Sequence, residues 1–303
     1  MIAVSVLLLA LTGQAGPAWH EPHLLAAKNY LARGDSDRAA EALEILLSAE
    51  AGLPPEVHLT LMDAWLKLDR ADKAADAGER AIKAHPKSGP LLKRTGHILF
   101  RRSYTNPRAG ELLENASRIL PQDPEAHHYY AQWALLNHRE EAAIEAERRA
   151  LALSAGNDAA RMQICTVLAI AHDKLGHAKQ AEQAFAEALD ANRRLRSFDP
   201  NAALEYVQFL VRQSREQEAQ RIVGEMLHHA PQFGPARLER AKYLSAQGEN
   251  EKAISEALSA LDLAGDDPLQ QRAAHAFLAR TYFALGQEEE AQKHQRWIEE
   301  HQK

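Results

Sequence analysis

Residues 171–189 read AHDKLGHAKQAEQAFAEAL, two alanine-rich amphipathic segments on either side of Gly176. The same pattern returns at residues 241–261, AKYLSAQGENEKAISEALSAL, and at residues 279–298, ARTYFALGQEEEAQKHQRWI. A glycine at the end of an amphipathic helix allows the positive φ that reverses the chain. The stretch therefore predicts a hairpin of two helices, and its recurrence predicts a repeat protein.

Alanines set the phase of the repeat. Eight of them, each early in a predicted second helix, recur at intervals of 34 to 38 residues: Ala39, Ala74, Ala109, Ala143, Ala181, Ala219, Ala253 and Ala291. Five positions before most of these alanines stands a turn residue: Gly34, Asp69, His138, Gly176, Ser214, Gly248 and Gly286. The longer intervals add about one helical turn and keep the same face inward. Because one hairpin cannot bury its apolar face alone, neighbouring hairpins must stack.

Composition agrees with a helical protein. The chain has 303 residues, 46% hydrophobic and 6% aromatic, and helix-forming residue types dominate. Its 36 basic and 42 acidic residues give a net charge of −6, which offers no electrostatic case for nucleic-acid binding. The single Cys165 excludes an internal disulfide and a cysteine-based zinc site.

The repeat resembles the tetratricopeptide repeat. The second repeat carries these residues at the family's positions: Leu61, Met62, Trp65, Ala74, Ala81 and Pro86. The resemblance implies an all-α fold, a right-handed α-solenoid of stacked helix–turn–helix repeats over residues 19–303. About eight repeats are predicted, near residues 20–53, 55–88, 89–122, 124–157, 162–196, 200–233, 234–267 and 272–303. HEAT and Sel1-like arrays are the alternatives, and the period near 34 disfavours HEAT.

The first residues predict export. The apolar run from Ile2 to Leu11 is too short to span a membrane, and small residues suited to cleavage follow at Ala15 and Ala18. We therefore predict a signal peptide over residues 1–18 and a periplasmic or secreted protein. No Lys or Arg precedes the run, so an uncleaved N-terminal anchor is the alternative.

In this family the first helices of successive repeats line a concave groove that holds peptides or helices. The resemblance places the following residues in that groove: Lys93, His97, Arg101, His128, Gln132, Gln208, Lys242 and Arg280. Cations and amides in a row would suit a carboxylate or a peptide backbone. The alternative is an ordinary solvated helix face. The Lys/Asn, Asn, Lys/Arg pattern by which co-chaperones clamp a C-terminal carboxylate is absent from the sequence, which disfavours that ligand.

No residues point to catalysis, a cofactor or a metal. The adjacent pairs His127-His128 and His228-His229 project about 100° apart on a helix and do not chelate one ion. Cys165 lies on a predicted buried face, where a thiol is inert. The sequence lacks GxSxG, P-loop and GxGxxG motifs. We therefore predict a non-enzymatic protein without a cofactor.

The predicted function is that of a scaffold or adaptor that presents its groove to a peptide or partner protein in an envelope assembly. Neither nucleic acid nor a membrane span of the mature chain is expected. The alternative is a structural subunit that forms homo-oligomers through its terminal repeat. There, part of the Trp297 ring is uncovered in one interpretation and packs on Phe277 or Tyr282 in the other.

Overall fold

The computed structural model describes residues 20–49 and 52–301, and over these ranges the chain is all-α, with sixteen helices and no β-strand. The predicted fold class is confirmed. The predicted signal peptide, residues 1–18, lies outside the described residues. The helices are α1 (Glu21–Ala32), α2 (Ser36–Ala49), α3 (Pro55–Lys67), α4 (Ala71–Ala84), α5 (Gly89–Arg102), α6 (Pro107–Ile119), α7 (Pro124–Leu136), α8 (Glu140–Leu153), α9 (Asp158–Lys174), α10 (Ala178–Arg193), α11 (Pro200–Arg212), α12 (Glu216–His229), α13 (Gly234–Ala246), α14 (Asn250–Leu263), α15 (Pro268–Ala284) and α16 (Glu288–Glu300).

The lengths of the helices account for the uneven repeat. Three of them have 16 or 17 residues, namely α9, α10 and α15. The others in the described ranges have 12 to 14. The intervals of 38 residues fall where these long helices occur, so the extra residues extend a helix by about one turn, as predicted.

The turns explain the spacing seen in the sequence. All seven predicted turn residues have a positive φ, between 55° and 81°. The backbone N–H of the next residue then donates to a carbonyl group near the helix end, as His177 does to His172 and Gln287 to Tyr282, both at 2.9 Å. This bond satisfies a carbonyl that the end of a helix otherwise leaves unpaired. Turn residue and helix end are therefore locked at a fixed separation.

The turn between α5 and α6 is one residue longer and is closed by side chains. Asn106 caps α6 by accepting a hydrogen bond from the backbone N–H of Arg108 at 2.9 Å. The next hairpin also holds this turn. Trp133 Nε1 donates to the carbonyl oxygen of Asn106 at 3.0 Å, and Asn137 Nδ2 donates to that of Tyr104 at 2.9 Å.

Small residues on the second helices set how closely the helices pack. Seven of the eight alanines that define the repeat are fully buried, and Ala291 is 7% exposed. At Gly110 of α6 even a methyl group would not fit, because a Cβ would lie 2.2 Å from Cζ2 of Trp133. Close approach of backbones at such positions keeps neighbouring hairpins in register.

The chain divides into two compact units, one ending at Ala155 and the other beginning at Gly156. In the first unit α1 to α8 form four hairpins, and in the second α9 to α16 form four more. Within each unit the second helix of a hairpin packs on the first helix of the next. First helices of neighbouring hairpins also contact one another. They form a continuous layer, which we call the first-helix surface of that unit.

Candidate protein-binding surface

All eight residues predicted to line the groove lie on first helices. Lys93, His97 and Arg101 are on α5, and His128 and Gln132 are on the adjacent α7. The other three are in the second unit, Gln208 on α11, Lys242 on α13 and Arg280 on α15. The structure thus brings five of them together in the first unit and the remaining three around two hollows in the second.

The charge of Lys93 is neutralised by the next hairpin. Its Nζ donates to Asp123 Oδ2 at 2.6 Å and to Glu125 Oε2 at 2.9 Å. Burial alone would lower the pKa of Lys93, but these two hydrogen bonds raise it above its usual value. Asp123 also caps α7 by accepting from the backbone N–H of Glu125 at 3.0 Å. Lys93 therefore joins two repeats and contributes little positive charge to a ligand.

His97 is half-buried and uncharged at neutral pH. Its ring stacks on Tyr129, with centroids 4.0 Å apart and planes 5° from parallel. Burial, followed by the charges of Arg94 and Arg101, lowers the pKa of His97 to about 4. Of the three predicted residues on α5, Arg101 is the exposed cation without an acidic partner among the described residues.

His128 is a buried residue. Its Nδ1 lies 2.7 Å from Glu147 Oε1, and its Nε2 lies 3.1 Å from the Nε2 of Gln132. The His128 side chain is 8% exposed and that of Glu147 0%. Burial raises the pKa of Glu147 to about 7, although His128 opposes the shift. Two of the five predicted residues in the first unit, Lys93 and His128, are therefore paired with carboxylates of the protein itself.

Sequence reasoning missed Glu147. It lies four residues after the repeat alanine Ala143, a position that earlier and later second helices fill with fully buried apolar side chains such as Leu43, Leu113 and Val223. Aligning the repeats on their alanines would have revealed a carboxylate at a core position. Its partner His128 comes from the other helix of the hairpin, which the repeat alone does not predict.

In the second unit, first helices enclose a hollow of about 240 Å³, which we call the second-unit hollow. Its lining includes two predicted residues, Gln208 and Lys242. Lys242 Nζ donates to Glu239 Oε1 at 2.6 Å, so little net charge faces the hollow. Apart from Gln270, apolar residues and Gly234 supply the rest of the wall, among them Leu238 and the 78% exposed Leu269.

A second, larger hollow of about 520 Å³ lies on the last described hairpin, and we call it the end hollow. Arg280, the eighth predicted residue, is on its rim beside Phe283, which is 70% exposed. Trp297 is not part of its lining. That ring instead stacks on His275 at 4.1 Å and on His301 at 4.2 Å, so neither Phe277 nor Tyr282 is its main contact.

Histidine and cysteine side chains have structural neighbours. His127 Nε2 lies 3.1 Å from the carbonyl oxygen of Pro121, and Cys165 is fully buried, as expected for core packing. The described part of the chain contains no group of three or more His, Cys, Asp or Glu side chains placed to hold a metal ion. Nor does any helix within it have the length and apolar character needed to cross a bilayer.

Models of known protein families match two segments of the sequence. Two models described as tetratricopeptide repeat match the sequence, one over residues 24–89 and the other over residues 272–294. The chain contains tetratricopeptide repeats. A comparison with curated proteins found no match to it.

Solved structures share the tetratricopeptide-repeat fold. A tetratricopeptide repeat protein from Parabacteroides merdae superposes with a TM-score of 0.66 and 15% identity, covering 85% of this chain and 98% of that one. PilW, a type IV pilus biogenesis factor, gives 0.59 and 16%, covering 72% and 96%. The structure of the APC/C hetero-tetramer Cut9-Hcn1 gives 0.61 and 11%, covering 91% and 52%. Proteins of this family bind protein partners and are generally non-enzymatic.

Proposed function

We propose that this tetratricopeptide-repeat protein is a scaffold, without catalytic activity, that binds a segment of a partner protein on its first-helix surfaces in an envelope assembly. The observation that carries the proposal is the second-unit hollow, which opens among the first helices of three successive hairpins. Repeat proteins of this type bind ligands on such continuous surfaces.

The lining of the hollow favours an apolar anchor over a carboxylate. Leu204 and Leu238 offer apolar contact, while Lys242 is already paired with Glu239. A volume of about 240 Å³ is enough for one large apolar side chain or two small ones. The partner segment should therefore place a residue such as Leu or Phe here.

Gln208 supplies the polar contact that a peptide backbone needs. Its carboxamide is partly exposed and has no hydrogen-bond partner among the described residues, so both its donor and its acceptor are available. Gly234 lets the walls close in, because a Cβ there would come within 3.2 Å of the carbonyl oxygen of Ala260. The arrangement suits an extended segment that inserts one side chain and hydrogen-bonds beside it.

Two observations support the proposed location in the cell envelope. The apolar run at residues 2–11 is followed by small residues suited to cleavage, and PilW, one of the structural neighbours, is a pilus biogenesis factor. Fractionation of the native host, with sequencing of the N-terminus of the mature protein, tests this part. A new N-terminus at residue 16 or 19 is expected, and an intact chain in the cytoplasm would contradict export.

Partner capture tests the surface itself. Chemical crosslinking with mass spectrometry in the host identifies the partner, and Ala273→Arg then fills the second-unit hollow from its exposed rim. We expect at least about a tenfold loss of capture. The matched control is Ala246→Arg, an exposed alanine at the end of α13 outside the hollow. Equal capture by both variants would remove the hollow from the binding site.

A further inference from the structure

Phe283 is a large aromatic residue exposed on the last described hairpin. It lies three residues after Arg280. The equivalent positions hold Phe100 and Leu135 in the first unit but Asp173, Val211 and Ser245 in the second. Phe100 and Leu135 are 4% and 5% exposed, whereas Phe283 is 70% exposed. Because an aromatic side chain buries a large area on contact, an exposed ring beside a hollow is suited to pack against another molecule.

Phe283 borders the end hollow, which is lined only by residues of α15 and α16. The floor is made of the small residues Ala279 and Ala291. A projecting ring beside a hollow with a small-residue floor forms a knob next to a hole. Two such surfaces related by a twofold axis can insert each knob into the other's hole.

The polar rim is also complementary to itself. Arg280 and Glu288 both line the end hollow, and neither forms an ion pair with another described residue. In a twofold arrangement each guanidinium meets the carboxylate of the second copy. Gln292 also lines the hollow. Its carboxamide has both a donor and an acceptor, so it can hydrogen-bond to Gln292 of the second copy.

Gln295 stands where most earlier second helices have an apolar residue, with Glu147 as an exception. The equivalent residues of earlier second helices include Leu113, Phe185 and Val223, all at most 1% exposed. Gln295 is exposed and also lines the end hollow. The surface thus has one apolar knob within a polar frame, the composition of an interface between separately folded molecules.

We propose that the end hollow binds the end hollow of a second copy of this chain, forming a twofold dimer through Phe283, Arg280 and Glu288. The 17 residues of α15 give a helix about 25 Å long, and two helices side by side cover on the order of 500 Å² per copy. Stable dimers bury about 800 Å² per partner, so the association is weak and reversible. This inference is independent of the proposed partner groove.

Sedimentation equilibrium of the purified chain tests the dimer. Between about 1 and about 200 µM we expect a monomer–dimer equilibrium with a micromolar dissociation constant. Phe283→Glu should raise that constant at least about tenfold. Leu258→Glu, at a 42% exposed position on α14 outside the hollow, should leave it unchanged. Circular dichroism checks that each variant keeps its helices.

A charge swap keeps the test informative even if one variant folds poorly. Arg280→Glu and Glu288→Arg should each weaken association, and the double variant should restore it, because each charge meets the other in the second copy. A chain that stays monomeric over the whole range overturns the proposal. So does association that survives Phe283→Glu, or a double variant that is no tighter than the single ones. Loss of capture of a host protein by Phe283→Glu, with a monomeric parent chain, would assign the surface to a different partner and overturn it too.

Discussion

His128 and Glu147 form a buried pair between the two helices of one hairpin, with His128 Nδ1 2.7 Å from Glu147 Oε1. Glu147 Oε2 has no hydrogen-bond partner in the part of the chain that the structure describes. The Glu147 carboxyl group is tolerated at this depth because His128 pairs with it. Without that partner, a buried carboxylate would keep its full desolvation penalty.

His128→Ala should destabilise the protein much more than Glu147→Leu. Removing the imidazole leaves the carboxyl group buried without a partner, which costs about 3 kcal/mol of the free energy of unfolding. Glu147→Leu restores the kind of residue found at this position in other repeats and should change the free energy by less than about 1 kcal/mol. Urea unfolding followed by circular dichroism measures both. Equal losses of unfolding free energy in the two variants would mean that the unpaired carboxyl group costs no more than the loss of either side chain.

Glu147 should also make stability depend on pH. Its pKa is about 7 in the folded chain, against 4.5 ordinarily, so the folded state holds the proton more tightly. The stability that this proton contributes is present at low pH and is lost as the pH rises from about 4.5 through 7. The advantage of Glu147→Gln, which cannot ionise, should therefore grow by about 2 kcal/mol between roughly pH 5 and 8. Urea unfolding of both proteins at the two pH values measures this difference in the free energy of unfolding. The same difference at both pH values would contradict the prediction.

His97 has the opposite dependence. Its pKa of about 4 lies below the ordinary 6.5, so the unfolded state binds the proton more readily. The stability that the neutral ring contributes is present above about pH 6.5 and is lost as the pH falls towards 4. His97→Phe keeps a ring on Tyr129 without titrating, and its advantage should rise by about 2 kcal/mol between roughly pH 7 and 4.5. Thermal unfolding at the two pH values measures it, and a constant difference would rule out the shift.

Local features of the fold could be predicted, and contacts between helices could not. The turn at Gly176 is determined by backbone geometry within a few residues, and seven of the eight repeats show the same turn. The bonds of Lys93 to Asp123 and of His128 to Glu147 join residues 30 and 19 positions apart. Such pairing depends on how hairpins stack, and periodicity does not specify it.

Trp297 lies between these cases. The sequence left two packing arrangements open. In the structure the ring lies between His275 and His301 and is partly exposed, which agrees with the interpretation that left part of it uncovered. His301 follows Trp297 by four residues, so helical spacing alone places the two rings on one face. His275 comes from the preceding helix and depends on the tertiary fold. An exposed aromatic residue of that hairpin is Phe283, whose exposure depends on the tertiary fold and is not visible in the repeat pattern.

Gly110→Ala should be strongly destabilising, while Gly224→Ala should be stabilising. Both glycines are helical, but a Cβ at Gly110 would lie 2.2 Å from the Trp133 ring, and one at Gly224 would meet nothing within 4 Å. We expect a loss of about 2 kcal/mol at Gly110 from overpacking and a gain of about 0.5 to 1 kcal/mol at Gly224 from helix propensity. Urea unfolding midpoints compare the two. A tolerated Gly110→Ala would show that the contact between α6 and α7 is looser than described.

Charge reversal at Arg101 is the sharper test of the first-helix surface in the first unit. Lys93→Glu would place a third carboxylate beside Asp123 and Glu125 and so disturb folding as well as binding. Arg101 is exposed at the end of α5 and forms no ion pair with any other described residue. Arg101→Glu should lower capture of the crosslinked partner by about three- to tenfold, and less so at high salt.

Arg102→Glu is the matched control for that experiment, because it makes the same change of charge in the same helical turn. The two side chains project about 100° apart, so only one of them can share the face of His97. We expect less than about a twofold change in capture for Arg102→Glu. An equal loss of capture in both variants would mean that the effect comes from net charge and not from the position of Arg101. Unchanged capture by Arg101→Glu would restrict the partner to the second unit, where the hollow beside Gln208 and Lys242 is formed.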